Sequence, residues 1–252
     1  MRGLKKYSHD DRRRVIEEIV PLVRKKFGEN LIALAATASY ARHEDFDYSD
    51  LELTAFVKTM PEGQRWGGVG KIRDGLLVEL IWTTKEIYLE DTREVTGAWY
   101  LAGSDTLLPV INDDFVNELN RYKVENLRQK CLTRAAKHWH EVQEATAKVL
   151  NAALAGNRDG VPLLVFDMLR HMLIVASFLN QTPYVTFARF ISQARGFKIK
   201  PADLDVLFDT VVQGTYQDLR ALEKNVVSVF SQFESIFGEL GIELYDADLD
   251  LH

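Results

Sequence analysis

The chain has 252 residues, 46% apolar and 27% charged, with a net charge of −6 and a pI of about 5.6; this is the balance of a globular protein with room for one large domain or two modest ones. The acidic surplus without a basic stripe argues against nucleic acid as a partner and favours a cation over an anion. No run approaches 18 apolar residues, no apolar core follows the charged start MRGLKKYSHDDRRR, and Cys131 is alone, so no membrane span, secretory signal or intrachain disulfide is expected and a cytoplasmic location is.

Residues 9–27 carry Val15, Ile16, Ile19, Val20, Val23 and Phe27 at helical spacing, with Gly28 placed to end the helix. Pro21 predicts a kink or a split. The clusters DDRRR and RKK on this segment read as a solvated face. LIALAAT (31–37), LELTAFV (51–57) and GLLVELIW (75–82) read as strands. The Gly-rich stretch between the second and third reads as a long hairpin loop. From about Phe115 the pattern turns helical, with few breakers before Gly156 and four further helical runs after it. The fold class expected is α+β: residues 1–124 form a domain with a mixed sheet, and residues 125–252 an all-helical domain.

The segment ASYARHEDFDYSDLEL (38–53) concentrates the chemistry. On a strand, Asp50 and Glu52 project to the same side while Leu51 and Leu53 face a core. Two adjacent carboxylates repel, so a cation or a proton must compensate. Mg²⁺ suits them, with phosphate oxygens filling its other positions. Glu79, inside the apolar run LLVELIW, is a third candidate, because a buried charge needs a partner or a metal. Spacing alone favours a blander alternative, in which Asp50 begins its strand in solvent and Glu79 lies on an edge.

This segment resembles the nucleotidyltransferase signature, a G-S-x-G-R run followed by a short loop and D-x-D/E. Within that superfamily the chain most resembles the aminoglycoside 4′-O-nucleotidyltransferases, the kanamycin nucleotidyltransferase-like group. YSDLEL, VELIWTTKEIYLED and the helical EATAKV match that family's motifs in its order, most firmly over residues 10–150. The resemblance implies that Ser39 and Arg42 hold a nucleoside triphosphate, ATP first among candidates, and that Asp50 and Glu52 hold Mg²⁺. It implies that Glu144 is the general base and that Lys148 contacts the phosphates. It implies that Glu141, Glu79 and Glu62 face a polycationic aminoglycoside, and that the protein is a homodimer with shared sites. Spacing alone reads Glu144–Lys148 as an ordinary surface ion pair. Both family glycines are alanines here, Ala38 and Ala41, and either would be strained if its position needed a positive φ. A different acceptor (a lincosamide, a protein or an RNA end) and a degenerate nucleotide-binding domain are the alternative readings.

Other motifs carry less. GGVGK at 67–71 lacks the first Gly and the final Ser or Thr of a phosphate loop. His138 and His140 fall on different helix faces, so a joint zinc site is not expected, and His171 reads as a satisfied core residue.

Overall fold

The computed structural model describes residues 3–102 and 106–245. The elements in the first part of the chain are α1 (His9–Phe27), β1 (Leu31–Ala36), α2 (Ala38–Ala41), β2 (Leu51–Val57), β3 (Gly67–Arg73), β4 (Leu76–Thr83) and α3 (Lys85–Tyr88). Then follow α4 (Trp99–Ala102), β5 (Leu108–Ile111), α5 (Asp113–Asn120), α6 (Leu127–Leu154), α7 (Val161–Leu179), α8 (Phe190–Arg195), α9 (Leu204–Gln213) and α10 (Leu219–Glu239). The described residues fall into two compact units: 3–94 with 106–124, and 95–102 with 125–245. The fold is α+β, a mixed sheet with helices followed by a helical part, as the sequence predicts.

In the first unit the strands are ordered β3-β4-β2-β1-β5. Neighbours pair antiparallel except β2 and β4, which run parallel. Alternation sorts the side chains. Leu51, Leu53 and Leu80 join Leu34 and Ala36 under Ile16, Ile19 and Val23 of α1. Phe56, Ala33 and Ala35 lie on the other face under Tyr88, Val116 and Leu119. The start of α1 is fixed by a capping box: the Asp11 backbone N–H donates to the Ser8 hydroxyl at 3.1 Å, and the Ser8 N–H donates to the Asp11 carboxylate at 2.9 Å.

The structure corrects three expectations. The Gly-rich stretch is not all loop, because residues 67–73 form β3. Asp74 and Gly75, both at positive φ, turn β3 directly into β4, the Asp-Gly signature of a tight hairpin. A side chain at Gly67 would collide with the Trp82 ring, which accounts for glycine in that strand. The second and third predicted strands, read as a hairpin, pair instead in parallel, with β3 supplying the reversal. Helix α1 continues through Pro21 without splitting. Helix α7 is long and apolar enough to cross a membrane by length and composition alone. It packs extensively on α6, and Val165, Met168, Met172, Val175 and Phe178 are buried within the helical unit.

Arg12 is the fourth correction: it is fully buried, not on a solvated face. Its guanidinium pairs with Asp45 at 3.0 Å. It also donates to the carbonyls of Tyr7 and Phe46, each at 2.8 Å, and to that of Ser49 at 2.5 Å from Nη2 and 3.2 Å from Nε. The sequence did hold a signal, since Arg12 precedes Ile16, Ile19 and Val23 by four, seven and eleven positions, on the apolar stripe. Asp45 also bonds His9 Nδ1 at 2.8 Å, and the His9 ring stacks on Tyr40 with centroids 4.2 Å apart.

In the helical unit, His138 Nε2 meets His171 Nδ1 at 2.9 Å, joining α6 to α7. His171 is satisfied as the sequence reading expects, and its partner is another histidine. His140 points elsewhere, to the Lys137 carbonyl.

Two predictions follow from these buried polar groups. Arg12→Ala leaves Asp45 and several carbonyls unpaired, so it should cost about 3–5 kcal/mol in urea unfolding, and Arg12→Lys, lacking the planar fork, should not restore it. A loss within about 1 kcal/mol would refute the structural role. The second concerns pH. Burial, reinforced by His171, lowers the His138 pKa from its ordinary 6.5 to about 4, and burial also lowers that of His171. Arg170 and His140 push His138 the same way, while Glu141 opposes them; Asp167, Glu141 and Glu144 oppose the shift at His171. His138 stays neutral in the fold down to about pH 4 but charges in the unfolded chain below pH 6.5, and the lowering at His171 acts in the same direction. The contribution is therefore present above 6.5 and is lost as pH falls towards 4, at most about 1.4 kcal/mol per pH unit for each proton. His138→Gln should flatten the difference in unfolding free energy between pH 7.5 and pH 5; an unchanged difference would exclude the pair as its source.

Candidate metal and nucleotide site

The parallel register of β2 and β4 sets Glu52 directly beside Glu79. Asp50, two residues before Glu52, shares their side of the sheet. One carboxylate oxygen from each of the three lies within 4.8 Å of the others, and all three residues are half-buried. Farther along this face, Thr54 and Phe56 are buried, Phe56 beneath Tyr88 and Phe115. The acids thus occupy the more open end of a face whose other end is core. Glu79 thus stands beside Glu52 on a central strand pair, not on an edge strand.

Only carboxylate oxygens are offered, with neither His nor Cys in the cluster. Such a set fits a hard, oxygen-seeking cation such as Mg²⁺ and suits zinc or copper poorly. Carboxylates gathered this closely repel one another, and a divalent ion would relieve that repulsion.

Two backbone features place this cluster. At one end, the Ser49 carbonyl is clamped by Arg12, which fixes the approach to Asp50. At the other, the Thr37 N–H donates to the Glu52 carbonyl at 3.0 Å. This brings the turn after β1, with half-buried Ser39, alongside β2. Arg42 Nε donates to Glu44 at 3.2 Å. Glu62 lies in the exposed turn before β3, outside the three-acid cluster.

Glu141, Glu144 and Lys148 belong to the helical unit, on α6. Glu144 pairs with Lys148 at 2.8 Å, and the two side chains are 62% and 53% exposed. The hydrogen bond from Lys148 holds the Glu144 carboxyl below its ordinary range, and Glu144 in turn raises the lysine. Glu141 meets His140 Nε2 at 3.2 Å. The residues that sequence reasoning missed are Arg12 and Asp45, which touch no candidate ligand but shape the loop that delivers Asp50.

Residues 121–243 match the family model described as the KNTase C-terminal domain, just under half the chain. No curated protein matches it. The crystal structure of a nucleotidyltransferase-like protein from Exiguobacterium sibiricum 255-15 aligns over 89% of this chain and 75% of its own, at 13% identity and a TM-score of 0.46. That similarity is too slight to establish a shared fold.

The two alanines in the turn are now distinguishable. Ala38 has φ +53°, in the left-handed region that favours glycine, whereas Ala41 is a buried residue of α2 outside that region. Ala38→Gly removes strain of about 1–2 kcal/mol and costs about 0.4–1 kcal/mol of unfolded-chain entropy. It should therefore raise stability modestly. Ala41→Gly should lower it by about 1 kcal/mol. Thermal melts of the two variants check this, and equal shifts would contradict the assigned backbone.

Proposed function

We propose that this chain is a Mg²⁺-dependent nucleotidyltransferase. In this reading it moves a nucleoside monophosphate from a nucleoside triphosphate, ATP first among candidates, to the 4′-hydroxyl of an aminoglycoside such as kanamycin, amikacin or tobramycin. Pyrophosphate is released, and the modified drug no longer acts. The observation that carries the proposal is the convergence of Asp50, Glu52 and Glu79 on one sheet face. The match of residues 121–243 to the KNTase C-terminal domain supports it independently.

A bound Mg²⁺ would neutralise phosphate charge at the α-phosphorus. Asp50 and Glu52 would hold it. The acceptor oxygen bonds to the α-phosphorus as the bond to the bridging oxygen of pyrophosphate breaks, and the hydroxyl proton passes to Glu144. Lys148 exchanges its contact with Glu144 for a phosphate, leaving that carboxylate a proton acceptor. Ser39 donates a hydrogen bond to the triphosphate, and Arg42 exchanges Glu44 for it. Glu79, Glu141 and Glu62 attract the ammonium groups of the acceptor, in keeping with the acidic surplus of the chain. The proposed assembly is a homodimer in which each site draws residues from both copies.

Incubation with mixed nucleoside triphosphates, Mg²⁺ and an aminoglycoside panel should yield a nucleotidyl adduct by mass spectrometry. Asp50→Asn should abolish the adduct and weaken Mn²⁺ binding seen by paramagnetic resonance. Glu144→Gln should lower kcat by about 10²–10⁴-fold with little change in nucleotide affinity. Full turnover by Glu144→Gln at saturation would assign the base elsewhere, and undiminished Mn²⁺ binding by Asp50→Asn would remove the metal assignment.

A further inference from the structure

The sheet has a second open surface. On β3, Val69, Lys71 and Arg73 alternate to the side opposite Glu79, paired with Leu80, Val78 and Leu76 of β4. Across from them runs the C-terminal half of α1. Between the two lies a groove of about 450 Å³ walled by Ile19, Leu22 and Val23 from the helix and Val69, Val78 and Leu80 from the strands. The volume is that of small-molecule sites. Leu22 is 62% exposed and Val69 41%, so large apolar surface is left facing water, a cost that a bound apolar group would remove.

The rim is basic, in a chain whose net charge is −6. Lys26, Lys71 and Arg73 border the groove against a single acid, Glu18. Arg73 takes Glu18 as its ion-pair partner. Lys26 lies 4.5 Å from the centroid of the Trp82 ring. Among the described residues, Lys71 meets no acceptor. Two ammonium groups therefore remain uncompensated by carboxylates beside an apolar floor.

We infer that this groove binds a small amphiphilic anion, an apolar body of medium-chain acyl or fused-ring size carrying a carboxylate, sulfate or phosphate head. The apolar body displaces water from the leucine and valine walls, and Lys71 and Lys26 take the head. The site is separate from the three carboxylates, which β2 and β4 present on the other side of the sheet, and a polycation would be repelled here.

Decanoate, with decanol and decyltrimethylammonium as neutral and cationic counterparts, tests the inference by calorimetric titration of the full chain. Decanoate should bind one molecule per chain, more tightly than either counterpart, and more weakly as salt rises. Leu22→Asp, at an exposed position, should weaken decanoate by at least about tenfold, because it sets a like charge in the apolar wall. Lys71→Glu should weaken decanoate by about tenfold and leave decanol nearly unchanged. Equal binding of the three probes, no decanoate binding, or indifference to both substitutions would overturn the proposal. Dimerisation that Leu22→Asp abolishes, without decanoate binding, would give the groove to a second copy instead.

Discussion

The Arg12 guanidinium is the constraint on which the candidate site depends. Residues 45–49 contain no regular structure, and their large side chains, Phe46 and Tyr48, are exposed, so no buried apolar side chain of the loop holds its course into β2. A planar fork of five N–H donors can satisfy several carbonyls at once, and Arg12 does so from inside the protein, anchored on the apolar stripe of α1. Asp45 supplies the countercharge without which a buried cation would be prohibitive. Because Ser49 is among the carbonyls held, the position of Asp50 is coupled to the packing of a helix on the opposite side of the sheet.

That coupling gives the two faces of the sheet different duties. The α1 face takes Leu51, Leu53 and Leu80 into a continuous core. The other face changes character along its length, from Phe56 under aromatic cover to Glu52 and Asp50 at the half-open end. Carboxylates this close repel one another, and the strands that carry them are secured from behind by buried leucines. The turn beside these acids also carries backbone strain, where Ala38 adopts a glycine-like φ.

Much of this was legible in the chain. The alternation in SDLEL placed two acids on one side and two leucines on the other, and the apolar periodicities located β1, β2, β4, α1 and the long helices. The pairing of His171 was foreseen only in kind. The hairpin strand was missed because GGVGK carries little β-propensity, and its strand state rests on cross-strand pairing with β4; the Asp-Gly turn at 74–75 was the available signal and went unused. Arg12 is illegible from charge alone, because its burial follows from its position on the apolar stripe of α1 and from partners in a loop more than thirty residues away.

By itself, the sequence determined which residues share a strand face, since period-two alternation is a property of the backbone alone. It also determined that Glu144 and Lys148 would meet, because i and i+4 are neighbours on any helix. Only the tertiary structure decided that Glu79 stands beside Glu52. That contact requires β2 and β4 to run parallel, a choice made by the intervening β3 and by packing over the sheet, not by anything local to either acid. It also decided that Ala38, not Ala41, bears the positive φ, in the turn whose first residue, Thr37, donates to the Glu52 carbonyl. Local periodicity is written residue by residue; strand order and register are set by long-range burial, where no single segment holds the answer.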